Sequence, residues 1–153
     1  MIKIFQKYLL NEIPLTKDMG LEITQFSDEQ LELIAPLANN VNDKGSVFGG
    51  SSSALMIIAA WSLIKLNCQT HEVEADIVIH KNQTLWNKPL YDDLCIVAKF
   101  NESYDFKQVK KQIEKAKHQR IECLIELLDD ERNIYSTMVA NYVIIPTSND
   151  SEG

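Results

Sequence analysis

The chain has 153 residues, 45% of them hydrophobic and 24% charged, with a formal net charge of −7. That length can bury a core without disulfide staples, and the composition is far from that of a disordered segment. So acidic a chain lacks the phosphate attraction behind most nucleic-acid affinity and is disfavoured at anionic membrane surfaces, so neither nucleic acid nor membrane is expected as a partner.

Met1 to Ile13 spaces Ile4, Leu9, Leu10 and Ile13 as a short amphipathic helix does, and Pro14 closes it. Gly20 to Phe26 alternates, with Leu21 and Ile23 on one side. Ser27-Asp28-Glu29 is a turn cluster, and Gln30 to Leu37 alternates again through Leu31, Leu33 and Ala35, so the pair predicts a hairpin. Asn39 to Gly50 is polar and holds Gly45, Gly49 and Gly50. Ser51 to Leu66 is apolar on nearly every face, which predicts a buried helix. Leu55, Met56, Ile57, Ile58, Leu63, Ile64 and Leu66 would anchor the fold, at roughly 1.5–3 kcal/mol for each fully buried side chain. Ser51, Ser52 and Ser53 fit N-terminal capping. The apolar run, Ala54 to Leu66, is shorter than the roughly 18 residues a membrane span needs.

The second half reads as strands. Val73 to Ile79 sets Val73, Ala75, Ile77 and Ile79 against Glu72, Glu74, Asp76 and His80, one dry face and one wet. Leu94 to Phe100 repeats the pattern after a turn at Lys88 to Asp93. Phe106 to Lys117 reads as a short basic helix. Ile121 to Leu128 and Ile134 to Ile145 form a hairpin through Asp129 to Asn133, and a flexible tail follows from Thr147 to Gly153. Helix, two strands, one apolar helix and four more strands predict an α+β fold in a single domain over residues 1–146. Its antiparallel sheet curls around one long central hydrophobic helix, which is the hotdog arrangement.

Cys68, Cys95 and Cys123 contain no C-x-x-C pair, and Met1 to Lys7 has no signal-peptide pattern. Free, buried thiols in a reducing compartment follow, with the protein cytoplasmic. Cys68 ends the apolar helix, while Cys95 and Cys123 occupy apolar strand positions. Cys68 and His71 lack companions at metal-ligand spacing, so no metal is expected.

The segment from Asn40 to Ser51 reads N-V-N-D-K-G-S-V-F-G-G-S and runs straight into the apolar helix with Trp61. It resembles the N-x-N-x-K-G-(S/T)-x-F-G-G-S signature of the YiiD C-terminal family of hotdog thioesterases, whose members also occur fused behind GNAT-type acetyltransferase domains. Leu15 to Leu21 resembles that family's opening strand. Lys88-Pro89-Leu90 with Asp92-Asp93 resembles its R-P-(V/I)-x-x-D turn, and Ala140 to Val143 its closing strand. The likeness implies a hotdog fold, a homodimer or homotetramer, and hydrolysis of acyl-CoA or acyl-carrier-protein thioesters. Coenzyme A then enters only as part of the substrate, with no separate cofactor. The wider hotdog superfamily has a motif closer to N-x-x-G-x-x-H-G-G, with an Asp or Glu further along the helix. Laid on it, Asn42 takes the asparagine position, Phe48 replaces the histidine, and Ile57 lies near the place of the acid.

Thioester hydrolysis needs a polarised carbonyl and a positioned water. A helix N-terminus offers unpaired N–H groups and partial positive charge, and glycines let a carbonyl approach them. The amides of Gly49, Gly50 and Ser51 are therefore expected as an oxyanion hole, with Asn42 orienting the water. Asn40, Lys44, Gly45, Ser46 and Phe48 would line the substrate, and the acyl chain would run past Leu55. Between Gly49 and Leu66 there is no Asp, Glu or His, so Asp43, Asp76 and His80 are the candidate bases, the last two on a strand, Glu72 to Gln83, through which subunits would pair. No G-x-S-x-G elbow makes the serines nucleophiles. Lys107, Lys110, Lys111, Lys115, Lys117 and Arg120 would attract coenzyme A phosphates or an acidic acyl carrier protein. Two alternatives stand beside hydrolysis. One is a non-catalytic acyl-thioester binding module, favoured by the missing acid and by Phe48. The other is a hotdog dehydratase or hydratase, whose chemistry needs a histidine that the motif lacks.

Overall fold

Gly49–Thr70 forms one helix, α3, and the rest of the chain is arranged around it. It was identified in a computed structural model that describes residues 1–147; all but the first residue of the expected tail lies outside them. Leu55, Met56, Ala59, Ala60, Leu63, Ile64 and Leu66 have no exposed surface and point to every side of α3. Such a helix cannot rest on one surface, and a sheet curls around it.

The elements before α3 are α1 (Ile2–Glu12), α2 (Leu15–Asp18), β1 (Glu22–Phe26), β2 (Gln30–Ala35) and a 3-10 turn at Leu37–Asn39. After it come β3 (Ala75–Trp86), β4 (Leu94–Phe100), α4 (Phe106–Glu114), β5 (Gln119–Leu128) and β6 (Ile134–Pro146). The six strands form one sheet in the order β1-β2-β4-β5-β6-β3, and every neighbouring pair is antiparallel. This is the hotdog arrangement that the element order predicts. Alternation puts Leu31, Ile96, Ile125 and Met138 on the inner face against α3, all buried. Two polar bonds pin the helix within the wrap: the Tyr142 hydroxyl donates to the Ile57 carbonyl at 2.6 Å, and Trp61 Nε1 donates to the Ile77 carbonyl at 3.0 Å. Burial pushes the Tyr142 hydroxyl far above its ordinary pKa, so it stays a donor.

Four sequence expectations change. Leu15 to Leu21 is not a strand: Pro14 sits in helical backbone, Leu15–Asp18 makes a helical turn, and Gly20, at φ +70°, ends it so that β1 begins only at Glu22. The central helix has 22 residues and starts at Gly49, two residues before the serines. Its length and composition would suffice to cross a membrane. Phe48 holds the N-cap position without a side-chain bond, so the serines do not cap; Ser52 instead donates back to the Gly49 carbonyl at 3.1 Å. Finally, β3 runs on to Trp86, with a break in register between Ile79 and Lys81. Ile79, expected on the dry face, is more than a third exposed.

Candidate active site

The loop before α3 is a miniature hairpin built by its own asparagine. Val41 and Val47 form an isolated bridge, and Asn42 N donates to the Ser46 carbonyl at 2.8 Å. Asn42 Oδ1 accepts from Lys44 N at 2.9 Å and Ser46 N at 3.1 Å, while its Nδ2 donates to Ser46 Oγ at 2.9 Å. An Asn that bonds the backbone two residues on is a turn former, and Gly45, at φ +85°, completes the tip. Val47 N, donating to the Leu90 carbonyl at 2.9 Å, ties the loop to the Lys88-to-Asp93 turn.

Beyond this hairpin the chain enters α3 with its first amides free. The helical ladder begins with Ser52 N donating to the Phe48 carbonyl at 3.1 Å. Gly49, Gly50 and Ser51 therefore keep N–H groups with no acceptor among the described residues, at the positive end of a 22-residue helix. Two aromatic rings flank them. A Cβ on Gly50 would lie 2.4 Å from the Phe48 ring, and one on Gly49 would lie 3.3 Å from Trp86 Nε1, so the glycines are what let both rings lie against the helix start. Trp86, from the end of β3, also donates its Nε1 to Ser52 Oγ at 3.3 Å.

A cavity of about 320 Å³ opens here, lined by Asn42, Ser46, Gly49, Ser52, Trp86 and Ser136 among others. The structure thus brings Asn42, Ser46 and Gly49 together on one cavity, with Gly50, Ser51 and Phe48 adjoining in the chain. Lys44 and Gly45 are exposed at the loop tip. Asn40 is buried elsewhere, its Nδ2 donating to the carbonyls of Met19 and Pro36, and Leu55 is fully enclosed in the core. Trp86 and Ser136 are cavity residues that sequence reasoning missed. Among the described residues no Asp, Glu or His lines this cavity. Asp43 is an exposed loop residue, and Asp76 lies ten residues before Trp86 on an extended strand, roughly 33 Å away. His80, six residues before it, is roughly 20 Å away.

The cysteines are poor nucleophiles. Burial pushes the Cys68 thiol up to about 11 and that of Cys123 up to about 12. Half-buried Cys95 is raised too, by burial and then by the Glu32 carboxylate. Among the described residues no group of three or more His, Cys, Asp or Glu is arranged to hold a metal.

A curled sheet around a single apolar helix, with free amides and a cavity at the helix start, defines a hotdog domain. The family model described as "Putative thioesterase (yiiD_Cterm)" matches residues 2–146, and the chain belongs to that family. The fold recurs in solved structures. A putative thioesterase from Shewanella oneidensis superposes with a TM-score of 0.84 at 20% identity, over 95% of this chain and 97% of that one. A protein of unknown function from Chlorobaculum tepidum gives 0.85 at 22% identity, over 95% and 94%. A thioesterase from Haemophilus influenzae gives 0.79 at 13% identity, over 99% and 94%.

Proposed function

We propose that the protein hydrolyses acyl-CoA thioesters, or acyl groups on a carrier protein, at the start of α3. The observation that carries this reading is the triplet of unpaired amides at Gly49, Gly50 and Ser51 beside the Trp86 cavity. The thioester carbonyl oxygen would sit on these amides while water adds to the carbonyl carbon. The negative charge that forms on oxygen is held by the N–H groups and the helix dipole. Collapse of the tetrahedral adduct breaks the C–S bond and gives the carboxylic acid and the thiol, with the thiolate taking up a proton. Asn42 supports this by shaping the loop, since its side chain is already engaged with Lys44 and Ser46.

The reading includes a homodimer. β3 is an edge strand of twelve residues with Val78, Ile79, Leu85 and Trp86 exposed. So long an exposed edge is a template for pairing unless something covers it, and a second copy of β3 would cover it symmetrically. Pairing would also carry the exposed Asp76 and His80 of a second copy toward this seam as proton acceptors. The alternative of a non-catalytic acyl-thioester binder is favoured by one observation, the lack of any acid or imidazole on the cavity among the described residues.

The experiment is thiol release across acyl-CoAs from acetyl to palmitoyl, run beside thermal denaturation. Turnover with a chain-length optimum supports hydrolysis. No turnover, with a melting temperature that rises with acyl-CoA, transfers the site to the binding module.

A further inference from the structure

Asn40 opens the loop that leads into α3, yet it does not line the cavity and is only 2% exposed. Its Nδ2 donates to the carbonyls of Met19, at 2.9 Å, and Pro36, at 2.8 Å. Carbonyls only accept, so the side-chain amide cannot be turned over. Oδ1 is left enclosed, with no donor among the described residues. An enclosed oxygen without a donor destabilises a fold, and an apolar side chain at this position would avoid that cost. What the asparagine adds is the pair of bonds from Nδ2, and these have a place in the site.

They moor the base of the small hairpin that precedes α3. Met19 closes α2 and Pro36 follows β2, so Asn40 ties the hairpin to the ends of two elements. The Asn40 backbone carbonyl accepts from Phe48 N at 2.8 Å, and the Phe48 carbonyl takes the first bond of the α3 ladder, from Ser52 N at 3.1 Å. Phe48 is the N-cap of α3, but its side chain caps nothing and is largely exposed. Its main chain therefore sets its place, and Asn40 holds that main chain. The next residues are Gly49, Gly50 and Ser51, whose amides are free. Two of the three have no side chain with which to anchor themselves.

We propose that Asn40 is a positioning residue for thioester hydrolysis: moored to Met19 and Pro36, it holds Phe48 and so aims the free amides at the substrate's carbonyl oxygen. This rests on the hydrolytic reading given above. Asn42 shapes the tip of the loop, and Asn40 fixes its base.

The test compares Asn40→Ala with Asn39→Ala. Asn39 is an exposed neighbour whose Nδ2 also anchors α2, donating to the Asp18 carbonyl at 3.0 Å. Kinetics across the acyl-CoA series are read beside the amide resonances of Gly49, Gly50 and Ser51 in NMR spectra. In Asn40→Ala kcat should fall about tenfold to a hundredfold while KM changes by less than about twofold, because misaimed donors are felt mainly in the transition state. The three resonances should move with it. Asn39→Ala should keep both kcat and the resonances close to wild type. Asn40→Ser keeps a hydroxyl donor and drops the unmet oxygen, so it should fall between, and it carries every readout if Asn40→Ala does not fold. Unchanged kcat in a folded Asn40 variant overturns the proposal, as does an equal loss in Asn39→Ala or a rise in KM at constant kcat. If the wild type releases no thiol from any acyl-CoA, the hydrolytic reading fails. The resonances still decide whether Asn40 places the helix start, and resonances that stay put in Asn40→Ala overturn that too.

Discussion

Trp86 Nε1 donates to Ser52 Oγ at 3.3 Å, joining the last residue of the edge strand to the first turn of the central helix. Ser52 in turn donates to the Gly49 carbonyl at 3.1 Å, so the position of the indole and the helix start are set together. The wall of the cavity is thereby fixed to the amides that would hold the thioester oxygen.

Trp86→Phe removes the donor and keeps an aromatic ring. The pair is partly buried, and an ordinary hydrogen bond contributes about 0.5–1.5 kcal/mol, so chemical denaturation should show a loss within that range. Thioester turnover should fall severalfold, and more in Trp86→Ala, because a loose wall no longer positions the substrate. Unchanged kcat/KM in both variants would remove Trp86 from the site.

The two glycines should separate stability from turnover. Gly49→Ala improves helix propensity by about 0.5–1 kcal/mol, yet its Cβ meets the indole at 3.3 Å. Equal or higher thermal stability with turnover reduced tenfold or more is the expected result. In Gly50→Ala the Cβ collides only with the free end of the exposed Phe48 ring, which can swing away. Its turnover should fall less; a larger loss for Gly50→Ala than for Gly49→Ala would show that Phe48, and not Trp86, is the controlling wall.

What the sequence made legible follows from where physics leaves a pattern. α3 was visible because Leu55, Met56, Leu63 and Ile64 are buried on all sides, and β4 because Leu94, Ile96 and Ala98 are buried while Cys95 and Lys99 are half-exposed or exposed, although Val97, on the other face, is buried as well. The start of α3 was not, because Gly49 and Gly50 are weak helix formers and Phe48 provides no capping side chain. The second half of β3 was hidden for another reason. Lys81, Asn82 and Gln83 lie exposed on a sheet edge, where neither face is dry enough to impose alternation. Trp86 was therefore missed as a site residue, since only pairing with Ser136 carries it back over the helix start. Asn42 was found by resemblance, but its bonds to Lys44 and Ser46 became visible only in three dimensions.

Arg132 reaches from the β5–β6 turn to Glu32, with Nη2 2.6 Å from a carboxylate whose side chain is 7% exposed. Arg132→Ala leaves that carboxylate enclosed without its cation, and urea unfolding should show a loss of about 1–3 kcal/mol. Alanine keeps the strained φ of +70° at this position, so the loss reports the pairing and not the backbone. The double variant Glu32→Leu, Arg132→Leu should recover most of it, because an apolar pair avoids the desolvation that an ion pair incurs. A double variant as weak as the single one would show that the arginine matters for the turn instead.

The thiols bear on the hydrolysis assay itself. With Cys68 held up to about 11 and Cys123 up to about 12 by burial, neither forms much thiolate at pH 8. A thiol-reactive dye added to native protein should react at half-buried Cys95 alone, and slowly, and at all three cysteines after denaturation. Rapid reaction of two or three thiols in the native protein would mean that the core around Cys68 and Cys123 opens readily.

Acid stability should report on Asp129. Its Oδ1 accepts from the amides of Asn133 at 2.9 Å and Glu131 at 3.0 Å, and its Oδ2 accepts from Asn133 Nδ2 and the Tyr135 hydroxyl, each at 3.1 Å. These donors, the Asn133 side chain first, hold the carboxyl below the usual carboxylate range, and the bond that the Tyr135 hydroxyl donates to Asp129 pushes that hydroxyl up. A carboxyl with a depressed folded pKa contributes stability that is fully present above its unfolded value, roughly 3.9, and is lost as the pH falls through the folded value. The melting temperature of the wild type should therefore exceed that of Asp129→Asn by a constant margin between pH 7 and 5. The margin should shrink below about pH 4, where wild-type Asp129 takes up its proton and comes to resemble the amide. A margin that widened on acidification would reverse the sign and show that the charge on Asp129 is tolerated by the β5–β6 turn and not used by it.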